Sequence, residues 1–268
     1  MSLWKPLYWL LSFKSLRRRM AFQLKYRYFN DLAIEIPIGE GLIATLPYID
    51  SSDSFSEIML QGEYSEFLNK IELPRKWIDI GCHMGYFSLY VERARRQAGI
   101  TTPSHAILID ADSRTSNTIP HMISRNKLED QWVYQNAAIG VGKFVTFYEN
   151  DYMSSTTLEG TGGRPVKIAI CNQEEVERMI PEDYDLVKID VEGSEWDFLD
   201  SYQTLIEKSQ HLLLEWHSWH SGGGGVQQLR QRLQDLNFSI LHEGTALKVE
   251  GEGREVGLII AKKNERFH

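Results

Sequence analysis

The sequence predicts an α/β fold, a doubly wound and mostly parallel sheet of seven strands with helices on both faces. From Pro74 onward, short apolar runs alternate with amphipathic stretches of helical length, which is typical of a parallel sheet covered by helices. Acidic residues follow several of the apolar runs. Open sheets of this class bind their ligands at the carboxyl ends of the strands, so the acids indicate a ligand site there.

The predicted elements follow one another regularly along the chain. The first half has strands at 75–80, 106–110 and 132–139, with helices at 86–97 and 113–127. The second half has strands at 184–190, 211–217, 238–242 and 256–262, with helices at 194–208 and 226–236. A glycine-containing stretch joins the last two strands and predicts an antiparallel C-terminal pair that closes the sheet edge.

The first 73 residues are predicted to form an N-terminal extension, an arm followed by a small cap of strands and a short helix. Residues 74–268 then form the ligand-binding domain. Residues 4–19 combine aromatic and leucine side chains with a basic cluster, which suits peripheral contact with a membrane surface or contact with a second subunit. A helical arm packed on its own domain explains the segment equally well.

Composition restricts the possible partners. A chain of 268 residues with a net charge of -8 is long enough for one large core and is a poor nonspecific binder of nucleic acid, so no nucleic-acid partner is expected. The two cysteines, Cys82 and Cys171, form neither a disulfide framework nor a metal-binding spacing, which favours a reducing, cytoplasmic location. Neither a membrane-spanning helix nor a cleaved signal peptide is expected.

The stretch from Trp77 to Leu89 is predicted to form a strand, a tight loop and the start of a helix. Its two glycines are four residues apart, whereas a dinucleotide site needs the tighter G-x-G-x-x-G spacing. The looser loop suits a ligand without phosphate, such as S-adenosylmethionine, and a tight connection without a ligand is the alternative. The residues predicted to bind this cofactor are Asp79, Gly81, His83, Gly85 and Tyr86.

Two further strand ends supply cofactor contacts. Asp110 ends the second strand, where a carboxylate can accept hydrogen bonds from both hydroxyls of a ribose. Asp112 shares that role or caps the following helix. Asn136 and Ala137 end the third strand and are predicted to lie against the adenine ring, although small residues in a tight core would show the same pattern.

The last two acidic strand ends are predicted to carry the chemistry. Asp190 and Glu192 lie two residues apart, as do Glu215 and His217, so each pair shares one face of an extended chain. Asp190 and Glu192 are assigned to the cofactor, while His217, Asp190 and Glu215 are the catalytic candidates, with His217 or Asp190 as the general base. For the carboxylates of Asp190 and Glu192, ion pairing at the surface is the alternative to a role in catalysis. For Asp190, Glu215 and His217, the alternative is that they bind a Mg²⁺ or Mn²⁺ ion together.

The next residues of the Asp190 strand end have local roles in this interpretation. Ser194 is expected to cap the following helix, and Glu195 to be an acid of its first turn. Lys188, on the same strand face as Asp190, can neutralise one of the carboxylates.

These blocks resemble FkbM-type S-adenosylmethionine-dependent methyltransferases. The resemblance rests on the residues from Asp79 to Leu89, from Val187 to Glu195 and from Leu214 to His217, and it covers roughly residues 55–262. It implies a Rossmann-like class I methyltransferase fold and O-methylation of a hydroxyl on a sugar, glycan or secondary metabolite. Asp110-Ala111-Asp112 departs from the Glu-Pro that often follows the second strand in this family.

The sequence therefore predicts in-line transfer of a methyl group to a hydroxyl of a small-molecule or carbohydrate acceptor, with general-base assistance. Two other classes stay open. An NAD-dependent oxidoreductase shares the fold and the ribose acid, and cofactor titration separates it from a methyltransferase. A catalytically silent nucleoside-binding module would bind S-adenosylmethionine without turnover. The sequence leaves the oligomeric state open.

Overall fold

The computed structural model describes residues 27–28, 33–149, 163–179, 182–218, 225–249 and 254–265. The predicted membrane- or partner-contacting segment, residues 4–19, lies outside these ranges. No helix among the described residues is long and apolar enough to span a bilayer.

From residue 76 to residue 243 the strands of the main sheet alternate with helical segments, as expected. The strands are β1 (Ile34–Gly39), β2 (Leu42–Leu46), β3 (Lys76–Ile80), β4 (His105–Asp110), β5 (Trp132–Asn136), β6 (Phe144–Glu149), β7 (Arg164–Ala169), β8 (Tyr184–Ile189), β9 (Ser209–His217), β10 (Phe238–Glu243), β11 (Leu247–Val249) and β12 (Arg254–Lys263). The helices are α1 (Ile49–Phe55), α2 (Ser65–Leu68), α3 (Tyr86–Gln97), α4 (Thr115–Arg125), α5 (Gln173–Met179), α6 (Glu195–Ser201), α7 (Gln203–Lys208) and α8 (Val226–Asp235). A π-helical turn, Ser56–Gln61, continues α1.

The main sheet confirms the predicted fold class. Its strand order is β10-β12-β9-β8-β3-β4-β5, and β11 adds an eighth strand beside β12. The strands from β9 to β5 run parallel, whereas β12 is antiparallel to both β9 and β10. Because β3 has β4 on one side and β8 on the other, the strand order reverses at β3, where sheets of this class form their ligand crevice.

Continuous apolar runs explain why the central strands are parallel and covered on both faces. Ile78, Ile107 and Val187 occupy one register row of the sheet and are fully buried. Side chains on the two faces belong to two separate apolar clusters. Strands buried on both faces need helices above and below them, and the alternating helices supply that cover.

Most predicted element ends lie within two residues of the observed ones, but two elements differ more. The third strand ends at Asn136 instead of residue 139, because the Ala138 N–H donates to the Ala169 carbonyl and the chain turns toward the β6–β7 hairpin. The helix predicted at 194–208 is divided into α6 and α7 at Tyr202, which leaves helical geometry. The Tyr202 hydroxyl donates to the Cys171 carbonyl at 2.6 Å.

The described part of the N-terminal extension forms a cap, residues 34–68, that contains β1, β2, α1, the π-helical turn and α2. It shares one apolar cluster with the main sheet, in which Leu42 and Phe67 join Phe87 and Leu108. The cap and the sheet therefore share one core, and the division at residue 74 stays a prediction about folding units.

Candidate active site

A cleft of about 1130 Å³, including its open mouth, lies between the cap and the carboxyl ends of β3, β4, β5, β8 and β9. Seven of the predicted site residues line it: Gly81, His83, Asp110, Ala137, Asp190, Glu192 and Glu215. The other five, Asp79, Gly85, Tyr86, Asn136 and His217, are not part of the lining.

Gly81 is required by a close approach between two backbones. Its φ is +69°, and a Cβ atom there would lie 1.5 Å from the Asp190 carbonyl oxygen. The Gly81 N–H also donates to the Ile109 carbonyl at 2.9 Å. Gly81 thus lets the loop after β3 pack directly against the end of β8, which brings the acidic end of β8 into the cleft.

Gly85 and Tyr86 shape the fold at a distance from the cleft lining. Gly85 has a φ of +72°, which favours glycine, and a Cβ atom there would lie 2.6 Å from Met122 Cε, so the end of the Met122 side chain would have to shift. The buried Tyr86 hydroxyl donates to the Thr45 carbonyl at 2.6 Å. The first turn of α3 is thus hydrogen-bonded to the cap, and contact of Gly85 and Tyr86 with the cofactor stays a prediction.

Asp79 lies beneath the loop, where it forms a buried cluster with Lys188. The Ser88 hydroxyl donates to Asp79 Oδ2 at 2.8 Å, and Lys188 Nζ lies 3.5 Å from Asp79 Oδ1 and 3.1 Å from Asp190 Oδ2. Burial raises the pKa of Asp79, and Lys188 opposes this rise. Burial lowers the pKa of Lys188, but Asp190 and Asp79 outweigh it, so the net change is upward. Asp79 is thus held by Ser88 and Lys188 outside the cleft lining, and its contact with the cofactor stays a prediction.

Asp110 faces the cleft and also fixes the adjoining loops. Its Oδ2 accepts the His83 N–H at 2.6 Å, and its Oδ1 accepts the Asp112 N–H at 2.8 Å. Burial raises the pKa of Asp110 to about 7 against the effect of these hydrogen bonds. Each carboxylate oxygen has a second lone pair, so two further hydroxyl donors can be accommodated.

Asn136 supports the end of β4 instead of facing the cleft. Its Nδ2 donates to the carbonyl oxygens of Asp110 and Asp112, at 2.9 and 3.0 Å. The surface predicted for a flat ring is formed by the next residues, Ala137, Ala138 and Ile139.

The His83 side chain brings an uncharged imidazole into the cleft. Burial lowers its pKa to about 4, so the ring is neutral at physiological pH. Its two nitrogens are buried and have no hydrogen-bond partner among the described residues. A neutral imidazole offers one donor and one acceptor, and both nitrogens are covered by the surrounding protein in this conformation.

Two acids from the cap complete the cleft wall opposite β8 and β9. Glu57 and Glu63 line the cleft together with Tyr64. Burial raises the pKa of Glu63 to about 7. It also raises the pKa of Glu215 well above its usual range, and the Tyr64 hydroxyl donates to Glu215 Oε2 at 3.3 Å. The sequence predicted a cap containing these residues over the ligand site, but it did not single out Glu57, Glu63 or Tyr64 as site residues, because they follow no motif spacing.

His217 stands behind Glu192, with Glu195 on its other side. The imidazole is 3% exposed, with Nδ1 2.8 Å from Glu195 Oε1 and Nε2 3.7 Å from Glu192 Oε2. Burial lowers the pKa of His217, but the hydrogen bond and charge of Glu195 outweigh it and raise the pKa to about 9. Burial raises the pKa of Glu192 to about 7, and His217 opposes this rise. His217 is therefore an imidazolium at neutral pH.

The donor atoms of Asp190, Glu192 and His217 lie within 4.8 Å of one another. The sequence prediction of a shared metal names Glu215, whereas the structure places Glu192 beside the other two residues. The His217 imidazolium already provides a positive charge at this position. We therefore describe the three side chains as an ion-pair cluster and assign no metal to them.

Comparisons with solved structures show what this fold is similar to. The chain aligns with a tRNA m1G37 methyltransferase of M. jannaschii at 11% identity and a TM-score of 0.52, covering 88% of this chain and 56% of that one. It aligns with aTrm5 in complex with tRNALeu at 12% identity and a TM-score of 0.51, covering 88% of this chain and 54% of that one. The alignment with M. capricolum TrmK in complex with S-adenosyl-homocysteine has 16% identity and a TM-score of 0.47, and covers 76% of this chain and 69% of that one. This chain spans little more than half of the first two proteins, and such identities show a shared fold alone.

The sequence comparison is more specific. No curated protein sequence matches the chain, but residues 79–240 match the methyltransferase FkbM domain. The matched part extends from Asp79 through the Asp190 and Glu215 strand ends to β10, and it therefore includes the whole sheet side of the cleft. The chain belongs to the FkbM family of S-adenosylmethionine-dependent methyltransferases.

Proposed function

We propose that this methyltransferase transfers a methyl group from S-adenosylmethionine to a hydroxyl of a sugar, glycan or hydroxylated secondary metabolite. The observation that carries the proposal is Glu192, a carboxylate at the cleft surface whose pKa is raised to about 7 by burial. General bases work best when their pKa lies near the operating pH. An acceptor hydroxyl needs such a base, because it is a weak nucleophile while it keeps its proton.

The cleft fits the methyl donor chemically. Asp110 has lone pairs for the two ribose hydroxyls, and Ala137 and Ala138 offer a small apolar surface for the adenine ring. The acids at the end of β8 suit a ligand that carries sulfonium and ammonium charges. When bound, the donor supplies an electrophilic methyl group, and the chain's residues orient both reactants and accept the proton.

The three residues that the sequence predicted to be catalytic are less suited than Glu192 to act as the general base. His217 keeps its proton at neutral pH and is not part of the cleft lining. Burial raises the pKa of Glu215 well above the usual range for a carboxyl group, which disfavours the ionised form that a general base needs. Asp190 is held in an ion pair with Lys188 at 3.1 Å. We therefore assign proton removal to Glu192.

Orientation of the two reactants would supply the larger part of the rate enhancement. Holding them in near-attack geometry can contribute about 7–11 kcal/mol, whereas a general base adds roughly 100- to 10,000-fold. The cap supports this proposal because Glu57, Glu63 and Tyr64 face the strand ends across the cleft, where polar side chains can bind acceptor hydroxyls.

We also propose that the methyl acceptor is not a nucleic acid. Two of the fold neighbours are named with tRNA, but their low identity limits the comparison to the fold. The carboxylates of Glu57 and Asp190 line the cleft and would repel a phosphate backbone. A small-molecule or carbohydrate acceptor fits this electrostatic environment better.

Calorimetric titration with S-adenosylmethionine, S-adenosylhomocysteine and NAD, followed by an acceptor screen, tests the function. The screen combines sugars, glycans and hydroxylated metabolites with tRNA, and mass spectrometry locates any added methyl group. We expect binding of both methionine-derived ligands and O-methylation of a non-nucleic-acid acceptor. Preferred NAD binding would overturn the donor assignment. A methylated tRNA base would overturn the acceptor class, and binding with no turnover would support a silent nucleoside-binding module.

The ribose assignment of Asp110 predicts a pH-dependent affinity. Adenosine should bind about 10- to 100-fold more tightly than 2′,3′-dideoxyadenosine at pH 8, since hydrogen bonds to a charged group contribute about 1.5–3 kcal/mol. Because the pKa of Asp110 is raised to about 7, its carboxyl is protonated at pH 6 and the advantage should shrink there. Calorimetry at both pH values measures the difference.

The dideoxy compound is the control for every other group that titrates in this range, since Glu63 and Glu192 would affect both nucleosides alike. An advantage of adenosine that is equal at pH 6 and pH 8 would remove Asp110 from the ribose site.

A further inference from the structure

Glu195 has contacts that its position in the first turn of α6 does not explain. It is fully buried. Its Oε1 accepts the Gly193 N–H at 3.0 Å and the Val191 N–H at 3.3 Å, and it lies 2.8 Å from His217 Nδ1. One carboxylate oxygen thus joins the loop after β8 to the last residue of β9.

The favourable interaction of an acid with a helix N-terminus is insufficient to explain this placement. An acid that stabilises a helix terminus can do so while exposed to solvent, and Asp197, the other acid in the first turn of α6, is exposed. Burial of a carboxylate is costly unless hydrogen bonds and a positive partner offset it. The Glu195 contacts with the loop and with the His217 imidazolium supply that compensation.

The loop that Glu195 holds has an unusual conformation. Glu192 has a φ of +52° and Gly193 a φ of +103°. A left-handed residue other than glycine is strained, and its surroundings must impose the conformation. The two backbone N–H groups bound by Glu195 lie on either side of Glu192, so Glu195 fixes the segment that carries the proposed base.

The same carboxylate sets the orientation of His217. A hydrogen bond from Nδ1–H to Glu195 leaves Nε2–H directed toward Glu192, at 3.7 Å from its Oε2. His217 then contributes a fixed positive charge behind the cleft surface. The imidazole of His217 thus lies between two carboxylates: Glu195 at the buried start of α6 and Glu192 at the cleft.

We propose that Glu195 is a positioning residue for the methyl transfer proposed above: it holds the 191–193 loop and the His217 imidazolium in place behind Glu192, and thereby sets the pH range in which Glu192 accepts a proton. This inference rests on the proposed function. It assigns Glu195 a role through Glu192 and no contact with either reactant.

The charged groups around the pair determine the direction of the effect. Glu195, Glu192 and Asp190 raise the pKa of His217. For Glu192, His217 and Lys188 lower the pKa, whereas Asp190 and Glu195 raise it. The influence of His217 on Glu192 is larger than that of Glu195. Neutralising Glu195 therefore lets His217 lose its proton at a lower pH, and Glu192 then becomes harder to ionise at neutral pH.

The test uses the full chain with Glu195→Gln, and Asp197→Asn as the matched change in the same helical turn. Histidine-labelled protein is titrated by NMR to follow His217, and kcat is measured from pH 6 to pH 9.5 with the acceptor found in the screen. In Glu195→Gln we expect the pKa of His217 to fall by more than about two units, to below about 7, because burial lowers it and its main opposing partner is then uncharged. The acidic limb of the kcat profile should move upward, with about tenfold lower turnover at pH 6.5 and recovery near pH 9.

Glu195→Asp keeps the charge and should restore most of the His217 titration, while Asp197→Asn should leave both profiles unchanged. Thermal unfolding of each variant separates misfolding from altered titration. An unchanged His217 titration in folded Glu195→Gln, or an acidic limb that stays in place, would overturn the proposal. The NMR measurement needs no turnover, so a shifted His217 titration without methylation of any acceptor would instead reject the proposed function.

Discussion

Replacing Lys188 with methionine is expected to lower the free energy of unfolding by about 3–5 kcal/mol, because it leaves a buried carboxylate without its positive partner. Lys188 is 3% exposed and Asp79 is fully buried. After the substitution Asp79 keeps the Ser88 hydroxyl as its hydrogen-bond donor. Methionine fills a similar volume, so the loss measures the missing charge and hydrogen bonds more than an empty space.

Urea denaturation at pH 7 measures this loss, with Lys208→Met as the matched control. Lys208 pairs with Glu177 at 3.3 Å, but both side chains are partly exposed, and such pairs contribute about 0–1 kcal/mol. Similar losses in the two variants would show that the buried cluster does not stabilise the fold.

The pH dependence of the Lys188 variant has a definite sign. Burial already raises the pKa of Asp79 in the folded protein, and removal of Lys188 raises it further. A folded-state pKa above the unfolded value means that the folded state binds more protons, so stability rises as the pH falls toward the unfolded value near 4. The deficit of Lys188→Met should therefore be smaller at pH 5 than at pH 7.

The sequence was sufficient to predict that the acidic strand ends meet at one edge of the sheet. Parallel strands end at the same edge of a sheet, so the acids after β4, β8 and β9 had to lie near one another. Asp110, Asp190 and Glu215 do line one cleft. The glycine loop after β3 was also placed correctly at the switch in strand order.

The direction of individual side chains was harder to predict. Asp79 lies at the same strand end, yet it turns beneath the loop because Lys188, 109 positions later, pairs with it there. The two-residue period puts Glu215 and His217 on one strand face, but it cannot show that α6 brings Glu195 against the imidazole. The cap residues Glu57 and Glu63 reach the cleft only through tertiary packing, which no local pattern reports.

Replacing Glu192 with glutamine is expected to lower kcat by about 100- to 10,000-fold, which is the usual contribution of a general base. Glutamine keeps the size of the side chain but removes a negative charge that faces the cationic donor, so kcat is compared at saturating S-adenosylmethionine. In the wild-type protein the activity should fall below the pKa of about 7 that burial gives Glu192, and this acidic limb should disappear from the residual activity of the variant.

Asp190→Asn is the comparison that distinguishes the two carboxylates at the end of β8. Asp190 is engaged by Lys188, so its replacement should disturb the Lys188 cluster and leave a base-dependent acidic limb in the kcat profile. Single-turnover rates with enzyme-bound S-adenosylmethionine, measured across pH, separate the proton-transfer step from binding and release. If Asp190→Asn loses the acidic limb while Glu192→Gln keeps it, proton removal belongs to Asp190, and the pair formed by Glu195 and His217 then serves to hold the loop alone.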